Sequence, residues 1–256
     1  MSEYVSVVMP AYNASATIAQ SIESVLQQTH AALELIVIDD CSTDDTRQIA
    51  EDYARRDHRV CVLHSEMNGG VSDARNRGVA AAQYEWIALL DSDDCWEPEK
   101  LAFQMDAVQK NPQCPLFFTG SAFVDENGCR SGYVLHVPQR VTKQELLCQN
   151  VISCSSVLVK REMLCRFPMY HDRRIHEDYA VWLRILQEIP YAVGIDRPLL
   201  IYRISASSKS GNKLRAAGMQ WRTYRHIHLP MVKSCVCFVQ YAVRNLRKYH
   251  GISKNM

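Results

Sequence analysis

No run of apolar residues in this sequence reaches bilayer-spanning length. The longest nearly apolar stretch of its C-terminal part, Cys235–Val243, falls far below the roughly 20 residues that a spanning helix needs. The opening MSEYVSVVMP lacks the basic n-region and apolar h-region of a secretory signal, so a cytosolic chain with reduced thiols is expected. Its ten cysteines contain no C-x-x-C pair, and the lone C-x-C at Cys235 and Cys237 has no partner at zinc-site spacing. Neither a disulfide framework nor a structural zinc is therefore expected to organise the fold. Internal repeats and low-complexity tracts are absent as well. Acidic residues are missing from Arg197 onward, where twelve Lys and Arg stand, so the first 196 residues carry 17 basic against 28 acidic side chains. The net charge of +1 thus hides an acidic body with a basic tail, and such a tail attracts phosphate-rich surfaces.

What is present is a globular composition, 47% hydrophobic and 22% charged, which excludes disorder; 256 residues suit one α/β domain with an extension. Strands are expected at Tyr4–Met9, Leu33–Ile38, Arg59–His64 and Glu85–Leu90, with helices at Ser15–Gln28, Asp44–Arg56 and Val71–Ala82 between them. Parallel pairing with right-handed crossovers follows. After Asp94 the rhythm loosens. A helix is expected at Pro98–Gln109, a strand at Leu116–Val124, a turn at Glu126–Gly128 leading to a strand at Tyr133–Val137, and a helix at Thr142–Cys148. A strand near Ser156–Val159, a helix at Asp178–Gln187 and short strands at Tyr191–Ile195 and Leu199–Arg203 complete the body.

In an open parallel sheet, ligands bind beyond the carboxyl ends of the strands. Those ends read Pro10-Ala-Tyr-Asn13, Asp39-Asp40, Asn68-Gly-Gly70 and Asp91-Ser-Asp-Asp94. Carboxylates clustered at neighbouring strand tips repel one another unless a cation or hydrogen-bond donors offset the charge. The Asp91-Ser92-Asp93 spacing suits a hard, oxygen-loving ion such as Mg²⁺ or Mn²⁺ together with a diphosphate. Taken alone, that motif reads first as an acidic turn or helix cap.

Four segments occur in a telling order: VSVVMPAYNASATIAQSIESVLQQTHAALELIVIDDCSTDDT, NGGVSDARNRG, YEWIALLDSDDCWEPEKL and HEDYAVWLRIL. Over roughly the first 205 residues the chain resembles the family 2 inverting glycosyltransferases, of the bacterial surface-polysaccharide or O-antigen type. The resemblance implies a GT-A fold, an α/β architecture with a mostly parallel central sheet flanked by helices, here carrying a C-terminal helical extension. It implies a nucleotide-sugar-binding half at 1–95, an acceptor and catalytic-base half at 96–205, and a basic amphipathic tail at 206–256.

Residue by residue, the resemblance places Ala11 and Tyr12 against a uracil base and Asp40 on a base nitrogen, with Asp39 the weaker candidate. Arg75 falls near the nucleotide, Asp91 faces the ribose, Ser92 joins the donor site, Asp93 holds Mn²⁺ or Mg²⁺, and Asp94 is a local cap. Asp178, in His176-Glu-Asp-Tyr179, matches the catalytic base; without the upstream motifs, Glu177 and Asp178 read equally well as an acidic helix N-terminus. Trp182 is expected to support the acceptor site or the core, and the loop at Tyr202–Ser205 to close over the diphosphate. The implied reaction moves a hexose, glucose foremost, from a UDP-sugar to a hydroxyl of a lipid-linked saccharide, possible carriers including undecaprenyl diphosphate.

Beyond Gly218, Val232, Cys235, Val236, Val239, Ala242, Val243, Leu246 and Tyr249 recur at three- and four-residue steps, with Lys233, Arg244, Arg247 and Lys248 interspersed. Such a helix either attaches the chain peripherally to an anionic inner leaflet or docks, on the body or in a dimer. A nucleic-acid partner would leave the acidic strand tips unexplained. An inactive nucleotide-sugar-binding partner protein would show damaged acidic motifs, and a sugar nucleotidyltransferase a Gly-rich loop after the first strand; neither pattern is present.

Overall fold

Seven residues with every side chain buried form the central strand β1 (Val5–Ala11) of the computed structural model, which describes residues 4–172, 174–204 and 213–254. A strand this apolar is covered on both faces, and alternation sends Val5, Val7, Met9 and Ala11 into one core and Val8 into the other. Helix α1 (Ile18–Leu26) covers the first face with Ile18, Ile22 and Val25. Strand β2 (Leu33–Asp39) runs parallel to β1 from Val5 opposite Leu33 to Ala11 opposite Asp39, so the two strands end side by side. Helix α2 (Thr46–Arg56), strand β3 (Val60–His64), helix α3 (Val71–Ala81) and strand β4 (Trp86–Leu89) complete an all-parallel block in the order β3-β2-β1-β4. Helix α3 lies so close to the sheet that a Cβ on Gly78 would sit 2.4 Å from Val8 Cγ1 and 2.6 Å from Ile38 Cδ1. Only glycine fits there without moving the helix.

The second half contributes β5 (Cys95–Trp96), α4 (Lys100–Lys110), β6 (Leu116–Val124), β7 (Arg130–Leu135), β8 (Arg140–Val141), α5 (Lys143–Cys148), β9 (Leu158–Lys160), α6 (Arg161–Arg166), α7 (Glu177–Glu188) and β10 (Ala192–Arg203). The sheet continues as β4-β9-β6-β10-β5, with β7 paired to β6 and β8 to β10. Its long ladders are parallel, including β6 with β10; the antiparallel ones, among them β9 with both β4 and β6, are short. The α/β, mostly parallel architecture expected from the sequence is thus the one observed, and, the last two strands apart, the expected elements of the body begin and end within three residues of the observed ones. The Asn127-Gly128 hairpin forms, with Gly128 at φ 82° and the Asp125 carboxylate accepting from the amides of Asn127 and Cys129.

Two details differ. The strands expected at Tyr191–Ile195 and Leu199–Arg203 are one strand, β10, which stays paired to β6 through register shifts around Pro198. Proline has no amide for the ladder, so the pairing is carried past it by a bulge. Helix α6 and the two-residue strands β5 and β8 were not expected, being too short to show a period.

The tail forms α8 (Lys213–His226) and α9 (Met231–Lys254). Both dock on the body. Tyr224 is buried with its hydroxyl donating to Leu147 O at 2.5 Å, and α9 buries Ser234 and Cys237. The apolar stripe read from the sequence is the other face: Val232, Val236, Val239 and Val243 are exposed. Residues 206–212 of the expected tail, and Ser205 of the expected diphosphate loop, lie outside the described residues. Among the described residues no helix is long and apolar enough to cross a membrane.

Candidate active site

The exits of β1 and β2 are tied together by their own side chains. Asn13 and Cys41, the residues that turn the chain out of the sheet, both take the left-handed conformation (φ 49° and 64°). Asparagine tolerates that region, whereas cysteine at φ > 0 is costlier and is held there by its surroundings. The Asn13 side-chain Oδ1 accepts from Thr43 N at 2.8 Å, Asn13 N donates to Ser42 Oγ at 3.0 Å, and Ala14 N donates to Thr46 Oγ1 at 2.7 Å. This leaves Ala11 buried at the strand tip and Tyr12 half exposed over the cavity beyond it.

Asp40 is buried, and its carboxylate accepts from the amides of Gly69 at 2.9 Å and Gly70 at 2.7 Å, at the start of α3. The positive end of that helix suits a carboxylate. Gly70 at φ 86° supplies a turn that a side chain would strain. Asp39 points the other way: it is fully buried, bonded to His64 Nδ1 at 2.8 Å, and does not line the cavity.

The 91–94 segment is fixed from three sides. Ser92 O accepts from Thr17 Oγ1 and Ser21 Oγ of α1, and Arg203 Nε of β10 donates to Asp93 O at 3.1 Å. Asp94 is not a helix cap: it is buried and accepts from Arg203 N at 3.0 Å. Arg75 is buried as well, with Nη2 2.5 Å from Asp91 and Nη1 3.7 Å from Glu177. It therefore stands behind the cavity wall and braces two carboxylates that line it. Asp93 is the most accessible of the four, and partial withdrawal of its carboxyl from water, then the neighbouring Asp91 charge, push its pKa up to about 6.

Helix α7 brings the second half of the chain to the same cavity. Glu177 lines it, together with His171 and Asp172 from the preceding loop, whereas Asp178 is half-buried beside it and accepts from its neighbour Tyr179 N at 2.7 Å. Burial and then the Glu177 charge raise the Asp178 pKa. Trp182 is fully buried in the core. Of the residues singled out from the sequence, Ala11, Tyr12, Asp40, Asp91, Ser92 and Asp93 line one cavity, with Arg75 and Asp178 just outside its wall. His171, Asp172 and the cavity-facing position of Glu177 were not singled out. The loop residues carry no spacing signal, and helix phase alone does not say which of two adjacent acids faces inward.

The cavity holds about 570 Å³, and five carboxylates line it: Asp40, Asp91, Asp93, Asp172 and Glu177. Among the described residues no lysine or arginine does so. A diphosphate entering this space needs a counter-ion. No three His, Cys, Asp or Glu gather into a metal cage among the described residues. The fit is therefore to an ion of the Mg²⁺ type, held by one or two carboxylates and completed by ligand phosphates and water.

A model of the family described as glycosyl transferase family 2 matches residues 6–164. A Bacillus subtilis (strain 168) protein named as a teichuronic acid biosynthesis glycosyltransferase, TuaG, is 37% identical over 245 residues, covering 95% of this chain and 96% of its own. The Escherichia coli UDP-Glc:alpha-D-GlcNAc-diphosphoundecaprenol beta-1,3-glucosyltransferase WfgD is 37% identical over 225 residues, covering 86% and 85%. Among solved structures, S. aureus TarS 1–349 in complex with UDP-GlcNAc superposes with a TM-score of 0.72 at 19% identity, over 93% of this chain and 71% of that one. That likeness shows the GT-A fold. With the motifs, the sheet and these matches in agreement, the chain belongs to glycosyl transferase family 2.

Proposed function

We propose that this glycosyltransferase moves a hexose, glucose foremost, from a UDP-sugar to a hydroxyl of a lipid-linked saccharide in bacterial surface-polysaccharide assembly, with inversion at the anomeric carbon. The observation that carries the reading is the convergence of strand-tip carboxylates from residues 1–95 and the α7 N-terminus from residues 96–205 on one acidic cavity. The names of WfgD and of WfaP, 32% identical over 249 residues, favour glucose as donor sugar and a GlcNAc-diphosphoundecaprenol acceptor.

In this reading the Tyr12 ring offers a stacking face to uracil. Asp40, whose oxygens keep lone pairs beyond those given to Gly69 and Gly70, accepts from the uracil N3–H. Arg75 sets the orientation of Asp91 toward the ribose, and Ser92 completes the donor wall. Asp93 would hold Mn²⁺ or Mg²⁺, whose chemistry is to offset the charge growing on the departing UDP. Asp178 takes the proton of the acceptor hydroxyl, and its raised pKa moves it toward the range where a base works best. Inversion follows from direct displacement, which needs no covalent enzyme intermediate.

The outward face of α9, with Val232, Val236, Val239 and Val243 beside Lys233, would rest on the anionic inner leaflet, keeping the chain peripheral on the cytoplasmic side. The deciding experiment offers purified protein a panel of UDP-sugars with a GlcNAc-diphosphate lipid and reads the product linkage by NMR. A β-linked hexose transferred from UDP-glucose is the expected result; exclusive use of another nucleotide, or an α-linkage, contradicts the reading.

A further inference from the structure

A second cavity, of about 440 Å³, opens on the far side of the loop that walls the first. Lys143 of α5, Arg184 and Gln187 of α7, Tyr170 and the residues closing α8, His226 and His228, line it. No acidic residue does so among the described residues, the reverse of the donor cavity. Tyr170 is clamped: the His226 ring meets it edge-on at 4.2 Å, and the Arg184 guanidinium lies 4.9 Å over its face. Lys143 Nζ donates to Gln187 Oε1 at 3.0 Å. Burial first, and then the Lys233 charge from the first turn of α9, lower the Lys143 pKa, so a second ammonium stands near a cavity that, among the described residues, no carboxylate lines.

Resting on the transferase reading above, we infer that this basic cavity binds the diphosphate of the lipid-linked acceptor. Three features fit that occupant. The guanidinium fork of Arg184 and the ammonium of Lys143 match phosphate oxygens. Tyr170 lines this cavity while His171 and Asp172 line the donor cavity, so consecutive residues of one loop border the two. Finally, α9 leaves the same rim and turns its exposed valines outward, a place for the lipid that the diphosphate carries.

The test uses full-length protein saturated with UDP, so that the donor cavity is filled, and titrates inorganic pyrophosphate calorimetrically. Transfer is measured in parallel to GlcNAc-diphosphate lipid and to a neutral alkyl GlcNAc. In Lys143→Gln/Arg184→Gln the pyrophosphate Kd should rise at least about tenfold, the loss expected when a charged hydrogen bond is removed. The KM should rise by a similar factor for the diphosphate acceptor and by much less for the neutral one, with UDP affinity unchanged. Should loss of the Arg184 stacking impair folding, Lys143→Gln/Lys233→Gln carries the same expectation. Unchanged pyrophosphate affinity beside normal transfer, or an equal KM rise on both acceptors, overturns the inference. Loss of flotation on phosphatidylglycerol vesicles with an unchanged KM ratio assigns the cavity to bilayer phosphate and also overturns it. A wild-type protein that binds pyrophosphate here yet transfers to neither acceptor overturns the transferase reading and leaves the anion site standing.

Discussion

Asp93 carries an electrostatic cost in the folded chain. Its pKa is about 6 when folded, against 3.8 ordinarily, so between those values the folded chain takes up a proton that the unfolded chain does not. Metal-free protein therefore gains stability from this group as pH falls through that window and loses it as pH rises. Asp93→Asn, tested without metal, should melt higher than wild type at about pH 7.5, by the equivalent of about 1 kcal/mol after allowing for solvent screening of an exposed group. Scanning calorimetry should show that gain vanish near pH 4 and reverse when Mn²⁺ is added at neutral pH; a gain that persists at pH 4 contradicts the electrostatic cause. The adjacent acids of α7 make a second residue-scale test. Asp178→Asn should cut turnover at least about 100-fold while leaving the UDP Kd within about twofold, as expected when a base is removed without changing shape. Glu177→Gln, which leaves Arg75 with one carboxylate fewer, should instead weaken UDP binding. The opposite assignment of the two effects would make Glu177 the base.

At the scale of elements, α9 shows what a sequence pattern conveys and what it omits. The spacing of Val232, Val236, Val239 and Val243 marks one apolar face, and such a face normally packs against the body. Here the body takes Ser234 and Cys237, with Phe238 partly covered beside them, and the Cys148 thiol donates to Gln240 Oε1 at 2.6 Å. Amphipathicity says that a helix has two faces; which one is covered depends on the shape of the partner. The consequence is testable by point substitution, since truncation would strip Tyr224 and Cys237 from the core. Val236→Asp/Val239→Asp, at positions 52% and 61% exposed, should leave the melting temperature within a degree or two while abolishing flotation on anionic vesicles. A fall of many degrees would mean that this face is covered.

Across the whole molecule, the parallel half was legible because β1, β2 and β4 are predominantly apolar runs, and their polar tips stand out by contrast. Asp40, Asp91 and Asp93 were readable for the same reason. The shortest insertions were not: β5 and β8 are two residues long, and the continuity of β10 past Pro198 depends on β6 beside it. Nor does spacing reveal that Arg75 lies behind the wall, that Asp40 is already bonded to two glycine amides, or that a basic cavity adjoins the acidic one. Those are relations between distant segments. The molecule thus sets an acidic chamber, a basic chamber and an apolar helix face in sequence. On the reading proposed above, the acidic chamber accepts a nucleoside diphosphate only together with a divalent cation. Calorimetric titration of UDP with and without Mn²⁺ tests it most directly. UDP should bind wild type at least about tenfold more tightly with Mn²⁺ than in chelator, and Asp93→Ala should lose that difference; equal affinity in both buffers, or an Asp93→Ala protein that keeps the full Mn²⁺ effect, would contradict the account.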